Sequence, residues 1–282
     1  MNLLEIANNS RNYNFHSHTQ FCDGHATMEE FVVAAIAEGI SDYGFTPHSP
    51  IPFPSSCNMA ADDVPRYLAE VDRLRGIYGD KIRLYASMEI DYIGPNWNAS
   101  SPYFAALPLD YRLSSVHFVP CDDFYVDIDG RFENFRKKMA DFFADDIRHV
   151  VKLFYEQSIQ MLEIGGFDII GHFDKIGYNA SLFHEGIEDE PFYKSLVGDL
   201  IDLIISKDLI VEINTKALER SGRLFPSRRY WQRLVDAGVG IVVNSDCHDP
   251  HLINSGRNAT ISEYKAMLES RSVNPHETSV LL

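Results

Sequence analysis

The chain has 282 residues, 45% of them hydrophobic and 23% charged, with a formal net charge of −16. The apolar content is sufficient for a folded core, which excludes wholesale disorder, and no apolar run reaches the roughly 18–20 residues of a membrane-spanning helix. The acidic balance argues against a protein that covers nucleic-acid phosphates with Lys and Arg, whereas 11 histidines beside 41 acids favour metal binding.

Short β-like segments alternate with helix-like segments along the whole chain. A capping box of Thr27 and Glu30 opens the first predicted helix, and Gly39 follows its end. In chain order we predict strand 13–16, helix 31–37, strand 42–46, helix 63–78, strands 81–90 and 111–119, two helices within 132–162, strand 167–171, helix 193–206, strand 209–214, helix 229–237, strand 240–244 and helix 262–269.

This alternation amounts to seven β/α repeats of roughly 40 residues each, which is typical of a parallel β/α barrel with insertions. Continuous apolar runs at 209–211 and 241–243 favour parallel strands that are buried on both faces. An open, doubly wound parallel sheet is the alternative. Residues 94–108 are predicted to form a long loop, but no linker composition separates two halves. We therefore expect residues 1–282 to form one domain.

The four cysteines, Cys22, Cys57, Cys121 and Cys247, form no Cys-x-x-Cys pair and are too few for a disulfide scaffold. Residues 1–10 lack the basic flank and apolar stretch of a secretory signal. We therefore expect reduced thiols and a cytoplasmic location.

Residues with metal-ligand chemistry recur at the C-terminal ends of the predicted strands. His16 and His18 close the first strand, and alternate residues of a strand point to the same side, so both imidazoles can reach one ion. Only the sixth strand lacks a candidate, since Asn214 and Thr215 follow it. The other candidates at or just past strand ends are His25, His48, Glu89, His117, His172, Asp246 and His248.

In a β/α barrel the C-terminal strand ends converge on one mouth, where the active site is built. Nine candidate ligands exceed the four to six that one ion takes, so we expect two or three ions. Imidazole with carboxylate suits Zn, Mn or Fe(II). Four further histidines fall outside this pattern and are expected to be ordinary surface residues: His149, His184, His251 and His276.

These residues lie in motifs that run in order from the first repeat to the last: His16-Ser17-His18, Asp23-Gly24-His25, 44–48, Glu89, Ser115-Val116-His117, 171–174, 211–215 and 244–248. In these motifs the sequence resembles the polymerase-and-histidinol-phosphatase (PHP) superfamily of metal phosphoesterases. Within that superfamily it is similar to the monofunctional histidinol-phosphate phosphatases.

The resemblance implies a distorted (β/α)7 barrel that holds three divalent ions at the C-terminal ends of its strands. It assigns His16, His18, Glu89 and Asp246 to the first ion, Glu89, His117 and His172 to the second, and His25, His48 and His248 to the third. The loop from His18 to His25 is longer than in many relatives, which allows Asp23 to replace or join His25. Many relatives have Arg after the Gly-His-Phe-Asp motif, where this chain has Lys175 and then Gly177.

The resemblance also implies an enzyme of histidine biosynthesis that hydrolyses L-histidinol phosphate to L-histidinol and phosphate. A water that bridges two ions has its pKa lowered towards about 7, and we expect the resulting hydroxide to attack the phosphorus in line. Glu89 would bridge the two ions. Either Asp246 or His248 could relay a proton to the leaving oxygen, and the sequence does not choose between them.

Phosphate orientation is expected to fall to cations near the same mouth: Arg220, Lys175, Arg223 and Arg257. Arg220 ranks first, because it follows the strand that lacks a metal ligand. We expect Asp174, Ser115 and Asn244 to orient ligand imidazoles. The expected partner is a small phosphorylated substrate, with no nucleic acid and no membrane, and the sequence leaves the oligomeric state open.

Two other functions stay open on the sequence alone. A phosphoesterase of the same superfamily could act on a nucleotide or on another small phosphate ester. Alternatively, the chain could be a non-catalytic metal-binding regulatory protein, although the complete ligand set speaks against that reading.

Overall fold

The structure, a computed structural model, describes residues 2–207 and 209–273. Its strands are β1 (Tyr13–Asn14), β2 (Asp42–Phe45), β3 (Arg83–Ala86), β4 (Glu89–Asp91), β5 (Leu113–Ser115), β6 (Phe118–Cys121), β7 (Phe124–Asp127), β8 (Ile169–Ile170), β9 (Ile210–Asn214) and β10 (Ile241–Asn244). No helix in the described ranges is long and apolar enough to span a bilayer.

The helices occupy the connections between the strands. They are α1 (Leu3–Asn9), α2 (Met28–Ala37), α3 (Val64–Tyr78), α4 (Pro102–Ala105), α5 (Phe132–Phe143), α6 (Ile147–Ile164), α7 (Ile176–Phe183), α8 (Pro191–Ser206), α9 (Leu218–Ser221), α10 (Trp231–Asp236) and α11 (Arg257–Val273).

The strands form a closed, distorted parallel barrel. β1, β2 and β3 make one parallel sheet, and β4, β5, β8, β9 and β10 make a second one. Parallel bridges between His48 and Glu89 and between Ser17 and Cys247 connect the two sheets at both edges. At the second connection the His18 amide donates to the Cys247 carbonyl at 2.9 Å. The predicted α/β class and distorted (β/α)7 barrel are therefore confirmed, and the open-sheet alternative is not the arrangement found.

The burial of strands and helices explains why these segments adopt this fold. Val211 and Val242 are fully buried, as parallel strands covered on both faces require. Helix α2 begins with the predicted capping box, because Thr27 Oγ1 accepts from the Glu30 amide and Glu30 Oε2 accepts from the Thr27 amide at 2.8 Å. The helix then buries Met28, Phe31, Val32 and Ala35.

The predicted strand 81–90 is two strands in the structure. β3 pairs with β2, whereas β4 pairs with β5, so the chain passes from one sheet to the other at Ser87 and Met88. The Ser87 amide donates to the Phe45 carbonyl at 3.0 Å, and the Met88 carbonyl accepts from the Leu113 amide at 3.2 Å. The apolar pattern is continuous through this crossing, which is why periodicity predicts one strand.

Residues 111–119 also differ from the single predicted strand. β5 ends at Ser115, and the chain continues into the antiparallel hairpin of β6 and β7, which lies outside the barrel ladder. The predicted elements lack helices α1, α4, α7 and α9, and α4 lies within the predicted loop 94–108. The described C-terminal helix, α11, is longer than 262–269. All four cysteines are free thiols, as predicted.

Candidate metal centre

The barrel brings a dense cluster of imidazoles and carboxylates to the mouth formed by the C-terminal strand ends. These side chains follow or end strands of the parallel ladder, so the topology directs them to one place. They are almost completely shielded from solvent: His16 and His18 are 0% exposed, and Glu89, His172 and Asp246 are 1% exposed. Such burial of charged groups is costly unless other charges or an ion compensate them.

Glu89 lies at the centre of this cluster, and its two oxygens face opposite groups of imidazoles. Oε1 lies 2.9 Å from His172 Nε2 and 3.5 Å from His117 Nε2. The distances from Oε2 are 3.2 Å to His16 Nε2, 3.4 Å to His18 Nε2 and 3.2 Å to His48 Nδ1. One carboxylate therefore contacts five imidazoles, an arrangement that suits a carboxylate shared between ions.

Asp246 forms the second carboxylate contact of the cluster. Its Oδ1 lies 3.0 Å from His18 Nε2 and 3.7 Å from His16 Nε2. The residue has a φ of 50°, in the left-handed region that Asp tolerates better than most side chains. This turn directly after β10 allows both Asp246 and His248 to approach the histidines that follow β1.

A third group contains Asp23 and not His25. Asp23 Oδ1 lies 3.3 Å from His248 Nε2, 3.5 Å from His18 Nδ1 and 3.9 Å from His48 Nε2. The His25 side chain is 68% exposed, and its Nδ1 is 3.0 Å from Asp249 Oδ2.

A backbone hydrogen bond of His25 explains why its ring lies outside the group that contains Asp23. The His25 amide donates to the His248 carbonyl at 2.8 Å, while the imidazole extends to the outer side of this contact, next to Asp249. The His25 ring therefore belongs to none of the ligand groups among the described residues, and its role as a ligand stays a prediction. Asp23, which the longer loop allows as a replacement, lies where the third ligand group forms.

Two carboxylates that the sequence analysis missed orient the ligand imidazoles. Glu212 Oε1 lies 2.7 Å from His16 Nδ1, and Asp91 Oδ1 lies 2.6 Å from His117 Nδ1. Each contact leaves Nε2 facing Glu89, which is the carboxylate–histidine arrangement found behind metal ligands. A signal did exist for both residues, because Glu212 is a charged residue inside an apolar strand and Asp91 is two residues after Glu89 on β4.

The residues predicted for this supporting role behave differently. Asn244 Nδ2 donates to Glu212 Oε1 at 3.0 Å, so it supports the carboxylate and not an imidazole directly. Asp174 Oδ2 accepts from the Ser227 amide at 2.8 Å, away from the ligand rings. Ser115 Oγ has no hydrogen-bond partner among the described residues. Glu212 and Asp91 thus contact and orient ligand imidazoles directly, and Asn244 supports Glu212 through a hydrogen bond.

The donor set fits divalent ions. His48 Nδ1, His117 Nε2 and Asp23 Oδ1 are buried at the cluster, and the described part of the chain offers them no partner with hydrogen-bond geometry. Buried polar atoms are normally satisfied, and coordination to an ion would satisfy these. Four sets of ligand atoms lie close enough to share an ion: His18, Asp23, His48 and His248; His16, Glu89 and His172; His16, His18 and Asp246; and His48, Glu89 and His117.

The electrostatics of the cluster also favour anionic carboxylates. Burial alone would raise the pKa of Glu89, but His16, His117 and His48 outweigh this effect and hold its pKa well below the usual range. Burial likewise opposes ionisation of Asp246, yet Lys216, His16 and His18 keep its pKa low. Both acids are therefore charged and able to coordinate cations.

A cleft of about 440 Å³ opens beside the cluster, and Asp246 and His248 form part of its wall. Two of the predicted phosphate-binding cations, Lys175 and Arg220, line this cleft. Lys175 Nζ is held 2.7 Å from Asp129 Oδ2, whereas the Arg220 side chain is exposed. The cleft thus joins the candidate ligands to positive charge.

Arg223 and Arg257 do not line the cleft. Arg223 makes a two-pronged ion pair with Glu188, with Nη1 to Oε2 at 2.9 Å. Arg257 is 1% exposed, and its guanidinium donates to the carbonyls of Val243 and Tyr13. Both guanidinium groups are engaged inside the fold and away from the cleft, and the contact of these two arginines with phosphate stays a prediction.

Lys216 is a further cation of this site that the sequence analysis missed. It follows β9, lines the cleft, and places Nζ 3.3 Å from Asp246 Oδ1 and 3.2 Å from His248 Nε2. Its position directly after Asn214 and Thr215 was a usable signal, since every other strand end of the barrel carries a candidate ligand. The remaining histidines, His149, His184 and His251, belong to none of the described ligand groups, and His276 lies outside the described residues.

Residues 14–216 match the sequence model of the PHP domain family. The chain is 27% identical over 256 residues to the "Probable histidinol-phosphatase" of Schizosaccharomyces pombe, with 84% of this chain and 81% of that protein covered. It is 23% identical over 214 residues to the histidinol-phosphatase of Lactococcus lactis, with 73% and 72% covered. Asp246 and His248 lie beyond the matched residues, and the tertiary structure brings them to the same cluster.

The solved structures that share this fold include the following two. One, the "putative histidinol phosphatase hisK" of Listeria monocytogenes, has a TM-score of 0.76 at 21% identity, and the match covers 88% of this chain and 99% of that chain. The other is the histidinol phosphate phosphatase of Lactococcus lactis in complex with Zn, L-histidinol and phosphate. It has a TM-score of 0.67 at 19% identity, with 92% and 93% covered.

Proposed function

The chain belongs to the PHP domain family, and from that premise we propose that it is a metal-dependent phosphomonoesterase acting on L-histidinol phosphate. The products would be L-histidinol and phosphate, in keeping with the histidinol-phosphatase names of its relatives and with the role in histidine biosynthesis that the resemblance implies. The observation that carries the proposal is the convergence of five imidazoles on Glu89 beside an open cleft.

The proposed cofactor is a set of three divalent ions of Zn, Mn or Fe. When bound, such ions lower the pKa of water towards about 7 and neutralise the charge of a phosphoryl group. The ligand atoms of the described clusters support this number, and Asp23 replaces His25 in the proposed assignment. The first ion would take His16, His18, Glu89 and Asp246, the second Glu89, His117 and His172, and the third Asp23, His48 and His248.

The remaining residues of the site would hold the ligands and the substrate. Glu212 and Asp91 keep the rings of His16 and His117 in one orientation, which cuts the reorganisation needed during the reaction. Lys175 and Arg220 line the cleft and would contact phosphoryl oxygens. The leaving oxygen would depart next to Asp246 and His248, and one of these two would relay a proton to it from water in the cleft.

The cleft also suits the organic part of this substrate. Histidinol phosphate carries an ammonium group and an imidazole. Carboxylates of Glu219 and Asp249 and the rings of Tyr178 and Phe225 line the cleft, and its volume of about 440 Å³ is within the usual range for small-molecule sites. Acidic groups near an ammonium and flat rings near an imidazole favour such a substrate over an uncharged alkyl phosphate.

The test is a substrate panel with purified, metal-loaded protein. We expect kcat/KM for L-histidinol phosphate to exceed that for p-nitrophenyl phosphate and for a nucleoside monophosphate by about 100-fold, a difference of about 2.7 kcal/mol in transition-state binding. Equal rates on histidinol phosphate and p-nitrophenyl phosphate would remove the biosynthetic assignment. Preference for the nucleotide would instead favour a nucleotide phosphoesterase.

As an enzyme of amino-acid biosynthesis, the protein would act in the cytoplasm on a small, soluble substrate. Cell fractionation with an antibody to the chain tests this location. Recovery of the protein with membranes or in a secreted fraction would contradict it.

A further inference from the structure

We propose that Lys216 is a phosphate-binding residue of this site, which His248 and Asp246 hold in place until ions take their ligand atoms. This inference rests on the proposed function and adds a residue to its substrate contacts. Lys216 is the first cation after β9, and 39% of its side chain is exposed towards the cleft that it lines. Its position therefore connects the ligand cluster to the space where substrate would bind.

Both hydrogen-bond partners of Lys216 are candidate metal ligands. Its Nζ lies 3.2 Å from His248 Nε2 and 3.3 Å from Asp246 Oδ1, and the described ranges supply it with no other hydrogen-bond acceptor. These two atoms are also ligand atoms of the candidate metal groups. The ammonium therefore shares both of its partners with the ions.

At His248 Nε2, the ammonium of Lys216 and a metal ion exclude each other. An imidazole nitrogen has one lone pair, which either accepts a hydrogen bond or coordinates an ion. An ion bound among Asp23, His48 and His248 would thus release Lys216 from His248 Nε2. An ion that takes Asp246 Oδ1 would weaken the second contact in the same way.

Electrostatics then favour an anion beside Lys216. After release, its ammonium would lie beside divalent ions with only the longer-range attraction of Asp129, which Lys175 contacts directly, and that is unfavourable in a partly enclosed cleft. A phosphoryl group with up to two negative charges compensates both the ions and the ammonium. Lys175 differs in this respect, because Asp129 at 2.7 Å already neutralises it. Lys216 is therefore a cation for which bound phosphate supplies a direct partner.

The experiment uses inorganic phosphate as the probe and the full, metal-loaded protein. Phosphate affinity is measured by calorimetry for the wild type, Lys216→Met and Lys216→Arg. Lys152→Met serves as a matched control, since Lys152 forms a surface pair with Glu156 on α6, away from the cleft. Metal content is measured on the same samples by elemental analysis, and folding is checked by circular dichroism.

We expect Lys216→Met to bind phosphate about 10- to 100-fold more weakly while it keeps the metal content of the wild type, because a charge-assisted hydrogen bond is lost. Lys216→Arg should retain most of the affinity, and Lys152→Met should match the wild type. In a metal titration, Lys216→Met should also load its last ion at a lower free concentration than the wild type, since the competing ammonium is gone.

Three outcomes would overturn the inference: phosphate affinity within about twofold of the wild type in Lys216→Met, loss of ions from that variant, or a wild type that binds no phosphate. Loss of ions would mean that Lys216 supports Asp246 structurally. Should Lys216→Met fail to fold, Lys216→Gln replaces it under the same criteria. A wild type that binds phosphate through Lys216 but does not hydrolyse histidinol phosphate would refute the proposed function alone.

Discussion

Two buried charged regions of this barrel both contain carboxylates but use them for opposite purposes. Around Glu89, five imidazoles share one carboxylate, and several ligand atoms have no partner with hydrogen-bond geometry among the described residues. Around Arg223, one guanidinium meets the two oxygens of Glu188. The Glu89 cluster has more metal-ligand atoms than positively charged side chains to pair with them. In the second region, the positive charge of Arg223 neutralises Glu188, so no ion is needed.

The difference shows how burial alone fails to identify a functional site. In the Arg223 region, burial raises the pKa of Asp174 to about 7, so that this acid is partly neutral near neutral pH. At the Glu89 cluster burial acts in the same direction, but the surrounding imidazoles overcome it and keep the pKa of the acid low. A charged carboxylate that faces imidazole nitrogens is prepared for a cation, whereas a paired or neutral one stabilises the fold.

The largest effect is expected at the centre of the metal cluster. Glu89→Gln keeps the shape of the side chain but removes the charge that two ions would share, so at least one ion should be lost and turnover should fall by about 10³-fold or more. Elemental analysis and steady-state kinetics measure both. Undiminished hydrolysis in this variant would refute the three-ion assignment.

A smaller effect is expected for the carboxylates that contact the ligand imidazoles from behind. Asp91→Asn keeps the contact with His117 but removes the negative charge behind the ring, and such changes typically cost about 10- to 100-fold in metal affinity or activity. Competition with a metal chelator gives the affinity. A variant with unchanged affinity would show that Asp91 contributes only to packing.

A comparison of variants of Asp23 and His25 tests which of the two residues is a metal ligand. Asp23→Ala should weaken the last ion to bind by about tenfold, because it removes one ligand atom from the group with His48 and His248. His25→Ala should change metal affinity by less than about twofold, since its ring lies next to Asp249 in solvent. Metal titration of the two variants decides between them, and the reverse order would restore His25 as the ligand.

The smallest effect on activity is expected in the Arg223 region, where stability should change instead. Arg223→Met leaves Glu188 buried without its partner and should lower the free energy of unfolding by about 3 kcal/mol, with metal content kept. The exposed pair of Arg228 and Glu263 provides the control, because Arg228→Met should cost at most about 1 kcal/mol. Denaturant unfolding measures both free energies. Loss of ions from Arg223→Met would show that the Arg223 region also contributes to metal binding.

Local patterns predicted much of the fold because local energies determine them. The capping box at Thr27, the apolar strands around Val211 and Val242, and the alternation of strands and helices are all visible in short windows. The crossing at Ser87 and the hairpin of β6 and β7 are not, since they depend on which strand pairs with which. The apolar periodicity of residues such as Ser87 and Met88 does not show where the chain leaves one sheet and joins the other.

By itself, the sequence determined which side chains end the strands, and a parallel barrel sends all strand ends to one mouth; that is why the ligand types and their common location could be predicted. The tertiary structure alone decided how loop side chains point. His25 turns outward because its amide bonds to the distant His248 carbonyl, and Arg257 turns inward to the carbonyls of Tyr13 and Val243. Asp23, Glu212 and Lys216 enter the site for the same reason, because contacts between residues far apart in the chain orient them. The sequence can mark such residues as candidates, but it does not show which of those contacts form.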